Sequence, residues 1–101
     1  MSGLNKVFQA KVRLGIMTVL VGDEESDFST LKKRLDLTDG NLASHLGVLE
    51  DKDYIEVEKK FVDRKPKTLY RSTEKGREEF NKHLSQLKKV IDLAEGEGED
   101  V

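Results

Sequence analysis

A chain of 101 residues in which 38% are charged and 36% hydrophobic has material for one modest core and not for two. The absence of cysteine excludes disulfides, thiolate metal sites and cysteine nucleophiles. The net charge of −2 argues against a nucleic-acid partner only until it is resolved along the chain: residues 92–101 carry five acids and no base, and the other 91 carry 18 bases against 15 acids, a net of +3.

Leu4, Val7, Phe8, Val12, Ile16, Met17, Val19 and Leu20 recur at helical spacing and predict a first helix of about five turns over residues 4–21. The segment VGDEESD reads as an acidic turn. Phe28, Leu31 and Leu35 mark a short second helix, with Asp27 or Ser29 as its N-cap. After the tight connector DLTD, Thr38 caps a third helix, accepting from the amide of Gly40 or Asn41, and this helix runs to about Asp51.

The period then changes. YIEVEKKFV alternates as a strand does, DRKPK reads as a loop because Pro66 lacks a donor and holds Lys65 extended, and TLYRS is a short returning strand. Tyr54 and Tyr70 are expected to pack at the base of this hairpin. From Thr73 a last helix extends to about Ala94, with Gly76 letting its start lie close to the hairpin base. Residues 1–94 are thus read as a single domain, and the acidic, glycine-punctuated residues 95–101 as a disordered tail. The N-terminal MSGLNKVFQAKVRL lacks a charged-then-apolar signal layout and every apolar run is short, so neither secretion nor a membrane span is expected, and the location is cytoplasmic.

Two helices joined by a short turn and followed directly by a basic hairpin form a winged helix-turn-helix layout, mainly α with a small β-hairpin. At 100° per residue, Leu42, Leu46 and Leu49 cluster on one side of the third helix, and Gly40, Ser44, Gly47 and Asp51 point the opposite way. Each glycine in a helix interior costs roughly 1 kcal/mol relative to alanine. Their place on the face with the smallest side chains suits the close approach of another surface. The functional reading is that this face meets double-stranded DNA in the major groove; the plain reading is that the glycines are neutral surface positions and Thr38 only a cap.

On the functional reading Thr38, Asn41 and Ser44 offer hydrogen bonds to phosphates or base edges from a helix N-terminus that itself favours phosphate. Asp39 sits awkwardly there, since it repels phosphate while stabilising the helix start. The wing supplies six bases in residues 59–71 against one acid, Asp63. The candidate DNA-contacting set is Ser29 and Thr30 at the start of the second helix; Thr38, Asp39, Gly40, Asn41, Ala43, Ser44 and His45 on the third; and Lys59, Arg64, Lys65 and Lys67 on the wing.

In the last helix Phe80, Leu84, Leu87, Ile91 and Ala94 step by four, three, four and three, a coiled-coil-like seam. A core this small in a chain this charged suggests that Phe80, Leu84, Leu87 and Ile91, joined by Leu4, Val7 and Phe8, form a homodimer interface; packing within one subunit is the alternative. Neither His45 nor His83 has a partner at ligand spacing, the glycines of GEGE sit among acids that repel phosphate, and no serine has a base-and-orienter pattern. No metal, cofactor or catalytic site is expected.

The segments VRLGIMTVL, DFSTLKKRLDLTDGNLASHLGVLEDKDYIEVEKKF and RKPKTLYRSTEKGREEF resemble small bacterial and archaeal winged-helix transcriptional regulators related to the MarR and ArsR groups, over about Val12 to Leu87. The resemblance implies a homodimeric, sequence-specific DNA-binding regulator whose terminal helices form the dimer. It also implies recognition through the helix carrying Asn41, Ala43, Ser44 and His45. The cysteines and His/Asp clusters of ArsR-like metal sensors are missing, so metal sensing is not implied; the chain is shorter than MarR-like chains, which leaves a small-molecule effector unsupported. With nothing left over to recruit polymerase, a repressor is the expectation. The alternative is a winged-helix protein–protein interaction module, which Asp39, Asp51 and the acidic tail would suit.

Overall fold

Three leucines set the centre of the molecule. Leu42, Leu46 and Leu49, on one side of helix α3 (Asp39–Asp51), are fully or almost fully buried, as their spacing requires. The computed structural model describes residues 4–95. A 3-10 turn (Lys6–Gln9) leads into α1 (Lys11–Asp23), β1 (Glu25–Asp27), α2 (Phe28–Leu35), α3, β2 (Ile55–Val62), β3 (Lys65–Ser72) and α4 (Glu74–Glu95). The sheet is antiparallel with order β1-β3-β2, so β3 is its central strand. The α3 leucines pack with Ile16, Met17 and Leu20 of α1, Leu31 of α2, Ile55 and Tyr70 of the sheet, and Phe80 of α4. Apolar residues from every layer therefore meet in one core.

The predicted first helix is broken. Asn5 accepts a hydrogen bond from the Val7 amide, which starts the 3-10 turn, and Ala10 is extended before α1 begins at Lys11. The break swings Phe8 inward, where its ring lies 5.3 Å from Tyr54 and 5.9 Å from Phe80. Continuing α1 as one straight helix would carry Phe8 away from that pocket.

The predicted acidic turn holds a strand. Glu24 reverses the chain at φ 70, and β1 then pairs with β3 through Ser26 opposite Tyr70. Three residues are too few for a period to be read from sequence, and two of them are acidic. The predicted DRKPK loop is also shorter than expected. Asp63 and Arg64 alone form the turn, both at positive φ, and Lys65 and Pro66 already belong to β3. Positive φ at both central residues suits the twist of a two-residue hairpin. Ladder alternation directs the Pro66 nitrogen away from β2, along a stretch of β3 that β1 does not reach, so no ladder bond is lost.

Thr73 caps helix α4, its hydroxyl accepting from the Gly76 amide at 2.9 Å. Gly76 is required there: a methyl group on it would overlap the Tyr54 carbonyl, which also accepts from the Thr73 amide. This is the close approach to the hairpin base expected from the sequence. Only Gly76, Phe80 and His83 of α4 are buried, and the helix then projects beyond the core with Leu84, Ile91 and Leu93 exposed. Val7, Phe8 and Phe80 are therefore not free for a dimer interface, because the chain's own core takes them; Leu4 and Leu87 are half-buried. The last helix reaches Glu95, one residue past its expected end, and the remainder of the expected tail lies outside the described residues.

Candidate nucleic-acid interface

The turn between α2 and α3 is built by local backbone chemistry. Asp36 takes the left-handed conformation at φ 53, and the amides of Asp36 and Leu37 donate back to the carbonyls of Lys33 and Lys32. Thr38 then opens α3, its hydroxyl accepting from the Asn41 amide at 3.2 Å and its carbonyl from Leu42 at 3.0 Å. These bonds leave the amides of Asp39 and Gly40 open at the helix start, where the macrodipole is positive.

Thr38, Asp39, Gly40, Asn41, Ala43 and Ser44 are all exposed, and His45 is half-buried. A methyl group placed on Gly40 or Gly47 would meet no atom within 4 Å. Neither glycine is therefore needed for packing inside this chain, and the first two turns of α3 present a low surface of small polar groups.

Asp39 is engaged from α2, its carboxylate 2.8 Å from Lys32 Nζ. The pair is exposed and contributes only about 0–1 kcal/mol, but it offsets the charge that sat awkwardly beside phosphate. His45 has a partner too: Arg13 Nη1 lies 3.4 Å from His45 Nδ1, and Arg13 Nε donates to the Val7 carbonyl at 2.7 Å. A guanidinium only donates, so Nδ1 accepts and Nε2 carries the ring N–H. Neither Lys32 nor Arg13 is marked out by the sequence. Lys32 stands seven residues from Asp39 across a turn and Arg13 stands 32 from His45, distances at which no helical or strand period operates.

At the start of α2, Asp27 is the N-cap, accepting from the Thr30 amide at 2.7 Å. That bond, the Thr30 hydroxyl and the nearby Lys67 ammonium hold the Asp27 carboxyl below its usual range. Ser29 and Thr30 are exposed, and Ser29 faces a cleft shared with Lys65 and Lys67 of the wing.

The six wing bases divide into two groups. Arg71 is held by Glu25, at 3.4 Å, and by Glu58, whose carboxyl it keeps below the usual range; Lys67 lies 3.3 Å from Asp27. Lys59, Lys60, Arg64 and Lys65 are exposed and form no ion pair among the described residues. The unpaired charge is thus gathered at the outer half of the wing. Among the described residues no group of three or more histidine or acidic side chains is placed to hold a metal ion, and no helix is long and apolar enough to cross a membrane.

A helix-turn-helix joined to a basic wing defines a winged-helix domain. A family model described as a winged helix DNA-binding domain matches residues 12–91, and the chain belongs to that family. A transcriptional regulator homologue from Pyrococcus horikoshii is 40% identical and superposes with a TM-score of 0.77, over 91% of this chain and 96% of that one. An uncharacterized protein of Methanocaldococcus jannaschii is 38% identical over 82 residues, covering 81% of this chain and 89% of that one. The YusO protein of Bacillus subtilis shares the fold at a TM-score of 0.75 with 18% identity, over 82% of this chain and 58% of that one.

Proposed function

We propose that this protein is a homodimeric, sequence-specific DNA-binding transcriptional regulator acting as a repressor in the cytoplasm. Helix α3 enters the major groove and the outer wing lies on the adjoining backbone and minor groove. The observation that carries this reading is the pairing of two features: the open, unbranched start of α3 with free amides at Asp39 and Gly40, and the unpaired cations at the outer wing. Asn41 and Ser44 are the side chains best suited to base edges, with the Nε2–H of His45 as a further donor.

The dimer reading rests on α4. Residues 84–95 extend α4 about 18 Å past its buried part, and the subunit fully buries none of them, although helical stability comes chiefly from tertiary packing of an amphipathic face. Leu84, Ile91 and Leu93 lie exposed along it, and covering them with the same segment of a second copy supplies the missing contacts. The protein-interaction alternative keeps Asp51 in its favour, whereas the Asp39 carboxylate is shared with Lys32.

Titration of labelled genomic fragments tests the reading. Affinity should fall steeply with salt, and Asn41→Ala should change which fragments bind best while leaving the salt slope intact. No detectable binding at low salt would sink it.

A further inference from the structure

Apolar side chains crowd the tip of the wing. Phe61 is 77% exposed, Val62 is 39% exposed, and Pro66, opposite Phe61 in the β2–β3 register, is exposed as well. Strand alternation puts Phe61 on the face that carries Ile55 and Val57 into or against the core. The core ends at Val57, since Lys59 on that face is already exposed. Phe61 therefore stands four residues beyond the last core-facing position, and no described residue covers it.

The surroundings decide what can cover it. Lys59, Lys60, Arg64 and Lys65 lie within four residues of Phe61 and have no ion pair among the described residues. Burying this tip against an apolar protein surface would strip water from four cations without an ion pair and from the Asp63 carboxylate among them, which costs several kcal/mol per ion. A polyanion accepts the cations and the ring together. The two-residue turn keeps the tip narrow, and a groove flanked by phosphates on both sides matches an apolar ring bordered by cations.

We infer that Phe61 is a DNA-contacting residue, entering the minor groove beside Arg64 and packing its ring against the sugar walls as an apolar wedge. This rests on the DNA-binding reading above and adds a contact of a different kind. It carries no charge, so its contribution is independent of salt, unlike that of the neighbouring cations.

The test uses the full chain, a mixed-sequence duplex and a series of salt concentrations, with Phe61→Ala and Phe61→Leu beside the wild type. Phe61→Ala should weaken binding roughly tenfold at every salt concentration, giving a log–log line parallel to that of the wild type, and Leu should restore most of the loss. Melting temperature and sedimentation mass should not move. Wild-type binding with Phe61→Ala within about twofold of it overturns the inference, as does a changed mass, which would mark a subunit contact. A wild-type chain that binds no duplex at low salt overturns the DNA-binding reading itself, and this inference with it.

Discussion

Three glycines of this chain look alike in sequence and do different things. Gly47 lies mid-helix on the outer face of α3 with open space around it, so Gly47→Ala should stabilise the fold by about 1 kcal/mol. Gly40 has equally open surroundings at the second position of α3, where the gain should be a few tenths of that, roughly 0.3 kcal/mol. Gly40→Ala should nevertheless weaken DNA binding severalfold, because the new methyl stands beside the open amide. Gly76→Ala should cost about 2–3 kcal/mol, since the methyl meets the Tyr54 carbonyl and neither backbone can yield cheaply. Urea denaturation of the three variants gives the order directly. The outward direction of Gly40 and Gly47 was legible in the wheel of α3, because three leucines at helical spacing fix which side is in.

His83 gives a second residue-scale prediction. Its ring is almost fully buried against Phe8, and its Nδ1 accepts from the Asn5 amide at 3.0 Å, so Nε2 carries the proton. Burial pushes its pKa below the ordinary 6.5. As pH falls the unfolded chain takes up this proton before the folded one, so the stabilisation is complete above about pH 6.5 and is lost as pH drops towards the folded-state pKa. The melting temperature of wild type should therefore fall between about pH 7 and about pH 5 by more than that of His83→Gln, whose side-chain oxygen can still accept from Asn5 without titrating. Equal falls would show that the ring does not carry the effect. The contact to Asn5 spans 78 residues, and nothing in the sequence signals it.

At the scale of elements, the parts with a long period were legible and the short ones were not. Helices α2, α3 and α4 and both hairpin strands follow from apolar spacing and caps. Strand β1 and the 3-10 turn span three and four residues, and each is decided by tertiary contact: β1 by pairing with β3, the turn by the pocket that receives Phe8. The wing turn is not legible in the sequence, because Pro66 suggests a loop, whereas the reversal uses Asp63 and Arg64 at φ 52 and 67. Asp63 suits its position, but Arg64 stands where such a turn favours glycine. Arg64 holds this conformation at a cost of about 1–2 kcal/mol. Arg64→Gly should recover about 1 kcal/mol of that in denaturation. It should also weaken DNA binding and make the salt slope shallower by about 0.9, one phosphate contact. If stability rises with binding unchanged, the residue at the wing tip is not retained for DNA.

At the scale of the molecule, the charge pattern and the unfinished helix belong together. The net charge of −2 conceals a basic wing, and its outer half keeps four cations unpaired while acids at its base occupy Arg71 and Lys67. The sequence showed the basic run but not this division, which depends on side chains brought together by strand register and by the start of α2. It likewise showed the apolar seam of α4 without showing where the subunit's own core stops; that boundary falls between His83 and Leu84. The proposed pairing of α4 with a second copy would give a two-fold dimer with two α3 helices, suited to a two-fold-related site. Selection of bound sequences from a random double-stranded DNA library tests this most directly. The account predicts an inverted-repeat consensus whose half-sites lie about 34 Å apart, one helical turn. Recovery of no enriched sequence at low salt would contradict it.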